Sequence, residues 1–179
     1  MDINNLEEII STAKTDFHKG NFKKAIEGFT FAFKHYQDAG DELNTAEMAN
    51  NLSVAYLQAR KPKEALDIVE GTDMIFETHN DITKQAMAIG NKGAALEALK
   101  KFDEAIEAYN QSAILFDEAG ETELKSYVLK SLSAIHLRKG SNFKSISAMQ
   151  RSINAKDELT LKDRILKFIL QIPQKLFRF

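Results

Sequence analysis

The sequence predicts an all-α protein built from repeated helix hairpins. Three features support this fold class: a 40-residue internal repeat, helical spacing of the apolar residues, and no two-residue alternation typical of strands. Equivalent segments recur every 40 residues, at Lys24-Ala25-Ile26-Glu27, Glu64-Ala65-Leu66-Asp67, Glu104-Ala105-Ile106-Glu107 and Lys144-Ser145-Ile146-Ser147. A fixed period of this kind is typical of solenoids, in which each repeat packs against its neighbours.

Glycine and asparagine residues mark the ends of the predicted helices at the same period. Gly40 and Gly120 lie two periods apart, and Asn80 lies midway between them. Because helices often end on a left-handed residue, usually Gly and sometimes Asn, we expect these three residues to close successive repeats. Gly20 and Gly140, three periods apart, are expected at the turn inside the first and last repeats.

Apolar residues recur at three- and four-residue steps between these turns, as amphipathic helices require. In the third repeat, Ile89, Leu96 and Leu99 share one predicted helix, and Ile106 and Phe116 the next. The predicted helices are 4–19, 22–38, 43–59, 62–78, 83–99, 102–118, 122–138, 142–155 and 160–178. Their expected N-caps are Asn21, Asn44 or Thr45, Asp81, and Ser141 or Asn142.

Small and bulky residues occupy equivalent positions in the four repeats. Small residues recur in the first helix (Ala13, Ser53, Gly93, Ser133) and the second helix (Ala25, Ala65, Ala105, Ser145), followed by bulky residues (Phe29, Val69, Tyr109, Met149) and small ones (Ala32, Thr72, Ser112, Ser152). This pattern resembles the tetratricopeptide repeat (TPR) family. The 40-residue period, instead of about 34, resembles the long-period sub-class found in kinesin light chains and soluble NSF attachment proteins. The family's tryptophan and its proline after the second helix are missing.

The resemblance implies a right-handed superhelical solenoid of four TPR-like helix hairpins and a C-terminal capping helix. The repeats are expected at about 6–45, 46–85, 86–125 and 126–159, with the basic amphipathic helix at 160–179. It also implies a non-catalytic protein-protein interaction module, an adaptor or scaffold, that binds a peptide or helix in a concave groove lined by the first helices.

Helical phase and the resemblance place one set of residues on this groove. They are Glu47, Asn50, Asn51, Val54, Gln58, Met87, Asn91, Ala94, Glu97, Tyr127, Lys130 and Arg138. Asn51 and Asn91 lie one period apart, and a carboxamide can both donate to and accept from a peptide backbone. We expect these two residues to clamp a bound segment, although they could instead cap or brace neighbouring helices.

The C-terminal segment 160–179 carries five basic residues and one acidic residue, Asp163. One set of its apolar residues is expected to cover the last repeat: Leu161, Ile165, Phe168, Ile169, Ile172 and Leu176. Leu166, Leu170 and Phe177 are then left as a C-terminal interaction face. The alternative function is therefore a membrane-peripheral or self-assembling structural subunit, since this helix could act as a cap, form a homodimer, dock a partner or lie on a membrane.

Composition and motifs exclude several other classes of function. The net charge of −2 gives no reason to expect nucleic acid binding, and the absence of cysteine excludes disulfides and thiolate nucleophiles. The four histidines form no metal-ligand spacing, and no phosphate-binding loop or nucleophile elbow occurs. We therefore expect no enzymatic activity, cofactor or metal. Residues 1–5 lack the features of a secretory signal, so a cytoplasmic location is expected.

Overall fold

The computed structural model describes the backbone of residues 3–176 and the side chains of residues 5–170. Within residues 3–176 the chain forms ten α-helices and no strand. They are α1 (Ile3–His18), α2 (Phe22–Asp38), α3 (Glu42–Gln58), α4 (Pro62–Val69), α5 (Thr72–Thr78), α6 (Ile82–Ala98), α7 (Phe102–Glu118), α8 (Thr122–Arg138), α9 (Asn142–Ala155) and α10 (Leu161–Leu176). The predicted all-α fold of helix hairpins is confirmed.

One predicted helix, 62–78, is wrong because the structure divides it into α4 and α5. Glu70 is extended (φ −60°, ψ 126°) and Gly71 is left-handed (φ 79°), so the helical hydrogen-bond ladder cannot continue through them. The Thr72 hydroxyl donates to the Val69 carbonyl over 2.8 Å, which satisfies an acceptor at the end of α4. The second repeat therefore has a two-part second helix.

Left-handed residues occur every 20 residues from position 20 to position 140. The expected left-handed residues are confirmed at Gly20 (φ 80°), Gly40 (71°), Asn80 (57°), Gly120 (73°) and Gly140 (70°). Arg60 (φ 60°) and Lys100 (φ 63°) complete the series, although neither residue type favours this conformation. The repeat geometry therefore imposes the left-handed conformation even where the sequence supplies no glycine.

The helix N-caps agree only in part with the sequence expectations. Asp81 caps α6 as predicted, because its carboxylate accepts from the Lys84 backbone N–H over 2.9 Å. The prediction of Asn44 or Thr45 is wrong, since Asp41 caps α3 and accepts from the Asn44 backbone N–H over 3.0 Å. Asn21 and Ser141 occupy cap positions, but their side chains make no capping hydrogen bond.

The chain forms two compact units, residues 1–108 and 109–179, and the boundary lies inside α7. In the first unit, α3 contacts α2, α4, α5 and α6, and is therefore covered on several sides. Its main core joins α1, α2 and α3 through Leu6, Ala13, Ala25, Phe29, Ala32, Met48, Leu52 and Ala55. A second cluster joins α3 to α4, α5 and α6 through Ala46, Val69, Phe76 and Ala88.

The predicted small residues permit close helix packing in both units. In the first unit, the Ser53 hydroxyl on α3 donates to the Ala65 carbonyl on α4 over 2.9 Å. In the second, the Ser133 hydroxyl on α8 makes the equivalent bond to the Ser145 carbonyl on α9, over 2.8 Å. All of the predicted small residues are buried. In two of the repeats, a serine hydroxyl of the first helix therefore hydrogen-bonds the backbone of the second helix in addition to packing against it.

Candidate partner-binding groove

The first unit contains a pocket that is lined by residues of α1, α2 and α3. Its volume is about 250 Å³, and its lining combines three apolar residues with three polar ones. Those residues are Lys14, Phe17 and His18 of α1, Phe29 of α2, and Asn51 and Val54 of α3. Pockets for peptide side chains commonly combine an apolar floor with a few convergent polar groups, so this composition suits a peptide.

Asn51 and Val54 were predicted groove residues, and the structure places both in this pocket. Asn51 is half-buried on α3, and Asn91 is half-buried at the equivalent position of α6, which packs against α3. The hydrogen bonds formed among the described side chains leave both carboxamides unused. The role of Asn51 and Asn91 as a clamp stays a prediction.

The other predicted groove residues of the first unit differ in exposure. Gln58 and Met87 are exposed, and Ala94 and Glu97 are half-buried. The prediction that Asn50 lines the groove is wrong, because this residue is only 6% exposed and cannot line an open groove. The reason is the central position of α3, which packs against α2, α4, α5 and α6. Among the described residues, the Asn50 carboxamide oxygen is buried without a hydrogen-bond partner.

Glu47, another predicted groove residue, is engaged within the first unit. Its carboxylate lies 2.9 Å from the Lys84 ammonium group, so α3 and α6 are joined by an ion pair. The hydrogen bond to Glu47 raises the pKa of Lys84. Lys84 also lies 3.6 Å from Asp81, the N-cap of α6. Glu47 therefore contributes to the contact between two successive first helices.

Three predicted groove residues, Tyr127, Lys130 and Arg138, belong to the second unit. All three lie on α8 and are exposed, with 69% of the Tyr127 side chain accessible. The α8 surface thus presents an aromatic ring and two cationic side chains. Whether these residues contribute to the same binding surface as Asn51 stays a prediction.

The C-terminal helix α10 reverses the expected assignment of its two apolar sides. The two residues that were expected to be free for interaction are half-buried: Leu166 and Leu170. The residues that were expected to cover the last repeat are instead 52–74% exposed: Leu161, Ile165, Phe168 and Ile169. Asp163 explains the reversal: it is buried, and its carboxylate lies 2.9 Å from the Lys156 ammonium group. The predicted cap residues Ile172 and Leu176, and Phe177 of the interaction face, have side chains outside the described residues.

Sequence reasoning missed the pocket residues contributed by α1 and α2: Lys14, Phe17, His18 and Phe29. A signal for one of them was present, because Lys14 lies one period before Val54 and therefore occupies the equivalent face of its helix. It was missed because the prediction began the groove at the second repeat. His18 is exposed and lines the pocket.

Neither a metal site nor a membrane span is found in the described part of the chain. No group of three or more His, Cys, Asp or Glu side chains converges there. None of the described helices is both long enough and apolar enough to cross a lipid bilayer.

Similarity to known proteins is found at the level of structure. No family model and no curated protein matches the sequence. The crystal structure of BtubC (BKLC) from P. vanneervenii is similar with a TM-score of 0.75 and 16% identity, over 96% of this chain and 74% of that one. TPR-like repeats of a kinesin light chain from Podospora anserina also give a TM-score of 0.75, with 13% identity, over 97% of this chain and 89% of that one. A second crystal structure of those repeats, of a variant form, matches equally, over 88% of its length. The chain therefore has the TPR-like repeat fold, as its sequence pattern predicted.

Proposed function

We propose that this chain is a non-catalytic protein-interaction module, an adaptor or scaffold, that binds a peptide or helix of another protein. The observation that carries the proposal is the pocket lined by α1, α2 and α3, with Asn51 among its lining residues. TPR-like repeats present extended binding surfaces formed by successive helices, and this fold supports the same use here.

The binding site of this proposal is centred on the first unit. Phe17, Phe29 and Val54 offer apolar surface for one side chain of the bound segment. Asn51 and Asn91 are expected to hydrogen-bond its backbone, because each carboxamide supplies a donor and an acceptor. Lys14 places a positive charge beside the pocket, which favours a segment carrying a carboxylate near its apolar residue.

A cytoplasmic location and a protein partner complete the proposal. The absence of cysteine suits a reducing compartment. The net charge of −2 gives no electrostatic basis for nucleic acid binding. No cofactor is proposed, since packing and hydrogen bonding at the pocket require none.

Peptides selected by display against the intact protein provide a test of this site. Their affinities would be measured for the wild type, for the Asn51→Ala/Asn91→Ala double variant, and for Gln37→Ala as a matched control. Gln37 is an exposed amide on α2 that does not line the pocket. The loss of two hydrogen bonds, each worth about 1 kcal/mol, should weaken binding by about 30-fold in the double variant. Equal affinities in all three proteins would contradict the clamp.

A further inference from the structure

The outer side of α10 combines apolar exposure with positive charge. We call this surface the α10 outer face. Most of it consists of four exposed apolar side chains: Leu161 (74% exposed), Ile165 (53%), Phe168 (66%) and Ile169 (52%). At 100° per residue these four side chains fall within an arc of roughly 100°. An apolar stripe of this width normally faces a core, yet here it faces away from the contact with α9.

Basic residues flank the α10 outer face on both sides. Lys162 lies roughly 20° beyond Ile169 on the helical wheel, and Arg164 lies roughly 40° beyond Phe168 on the other edge. Both side chains are exposed. An apolar stripe bordered by cations is the arrangement of helices that lie in the plane of a membrane interface, where the apolar residues enter the acyl boundary and the cations contact anionic headgroups.

The acidic residue of this segment is turned away from the outer face. Asp163 accepts hydrogen bonds from the Thr160 hydroxyl (2.8 Å) and the Thr160 backbone N–H (3.2 Å), and pairs with Lys156. The Thr160 hydroxyl in turn accepts from the Asp163 N–H over 3.2 Å, so the two residues form a capping box at the start of α10. Segment 160–179 has five basic residues and one acid, and that acid is paired with Lys156, which precedes the segment. Within α10, no other acidic residue offsets the charges of Lys162 and Arg164.

The inner side of α10 is held by contacts independent of the outer face. Gln150 on α9 donates from its side-chain nitrogen to the Leu170 carbonyl over 3.1 Å, and Leu166 and Leu170 are half-buried. With 16 residues, α10 is about 24 Å long, shorter than the hydrocarbon core of about 30 Å, so it suits the bilayer plane and not a transmembrane path. The inner side of α10 therefore packs against its own unit, and the outer face stays exposed.

We propose that the α10 outer face binds anionic lipid surfaces, with α10 lying in the plane of the membrane interface. Leu161, Ile165 and Phe168 would enter the interface, and Lys162 and Arg164 would contact lipid phosphates or carboxylates. Charge complementarity favours this occupant over a second copy of the chain, since two outer faces would bring like charges together. The proposal concerns a surface distinct from the pocket of the first unit and does not depend on it.

Vesicle flotation of the full chain tests the proposal. Phosphatidylserine-rich vesicles and pure phosphatidylcholine vesicles would be compared for the wild type, Ile165→Glu/Phe168→Glu, Lys162→Gln/Arg164→Gln, and Phe143→Glu as a control. Phe143 is 82% exposed in the same part of the chain but lies on α9. Circular dichroism would confirm that each variant is folded, which is expected because every substituted side chain is exposed.

The wild type and the Phe143→Glu control should float with the phosphatidylserine-rich vesicles only, and added salt should weaken this binding. Loss of two basic residues should reduce partitioning by about 25-fold, at about fivefold each, and the double Glu variant should remain in the bottom fraction. The proposal is overturned if the wild type does not float, or if the double Glu variant floats as well as the wild type. A vesicle-independent dimer that the double Glu substitution dissociates would assign the outer face to a second copy instead.

Discussion

Replacement of Lys100 by glycine should stabilise the protein. Lys100 is held at φ 63° between α6 and α7, a left-handed conformation that costs an L-residue about 1–2 kcal/mol. Glycine removes this cost but adds about 0.5–1 kcal/mol of unfolded-state entropy. The expected net gain in the free energy of unfolding is therefore about 0.5–1 kcal/mol, or about 1–4 °C in Tm for a chain of this size.

Gly20→Lys is the matched reciprocal change, because Gly20 lies two periods before Lys100 in the same turn of the repeat. At both positions the backbone N–H bonds back to the preceding helix: Gly20 N–H to Phe17 O and Lys100 N–H to Glu97 O, over 3.0 and 2.9 Å. A Cβ at Gly20 would meet no atom within 4 Å, so the cost of substitution comes from the backbone alone. Urea denaturation of both variants would measure the difference. A destabilised Lys100→Gly protein, or an unaffected Gly20→Lys protein, would show that the left-handed conformation carries no such cost at this turn.

Three further substitutions test the packing and the charge pairs. Ser53→Ala should lower the free energy of unfolding by about 1–2 kcal/mol in urea titrations, because the hydroxyl bonded to the Ala65 carbonyl is lost; a change below the measurement error would contradict this role. Gly28→Ala should lower the free energy of unfolding by about 1 kcal/mol, because the new Cβ would lie 2.8 Å from the Ala13 Cβ and this overpacking outweighs the gain in helix propensity. A stabilised variant would show that α1 and α2 can move apart at little cost. The pKa of Asp163 is lowered to about 2 by its hydrogen bonds, below its unfolded value near 3.9, so its contribution to stability is present above pH 4 and is lost as the pH falls towards 2. Asp163→Asn should therefore be less stable than the wild type at pH 6 but not at pH 2 in thermal denaturation, and an equal deficit at both pH values would contradict the assignment.

The sequence period predicts most of the helix boundaries because each turn of the repeat is marked locally. Gly40 and Gly120 indicate helix ends by their backbone freedom, and the helical spacing of apolar residues identifies the segments between them. The left-handed conformation of Lys100 was not predicted, because lysine does not favour it. Only the position of Lys100 in the 40-residue period indicates this conformation. The break at Gly71 was missed because a single glycine within a helical pattern is usually tolerated.

The candidate site is less predictable, since a helical wheel groups residues by side without saying which side is covered. Asn50 and Asn51 are adjacent in sequence, but the packing of α3 against several helices buries the first and leaves the second at a pocket. On α10, both sides are apolar, and the pairing of Asp163 with Lys156 determines which one is turned inward. A helical wheel of α10 does not contain this pairing, because Lys156 lies before the helix begins.

Site-specific photocrosslinking tests whether the first unit binds a protein segment at the pocket lined by α1, α2 and α3. A benzophenone amino acid would replace Lys14, an exposed residue of the pocket, or Met74, a residue 65% exposed on α5 and outside it. Each protein would be irradiated with a display-selected peptide that the wild type binds. A crosslinked product is expected at position 14 and none at position 74. Equal crosslinking at both positions, or a product at position 74 alone, would contradict this expectation.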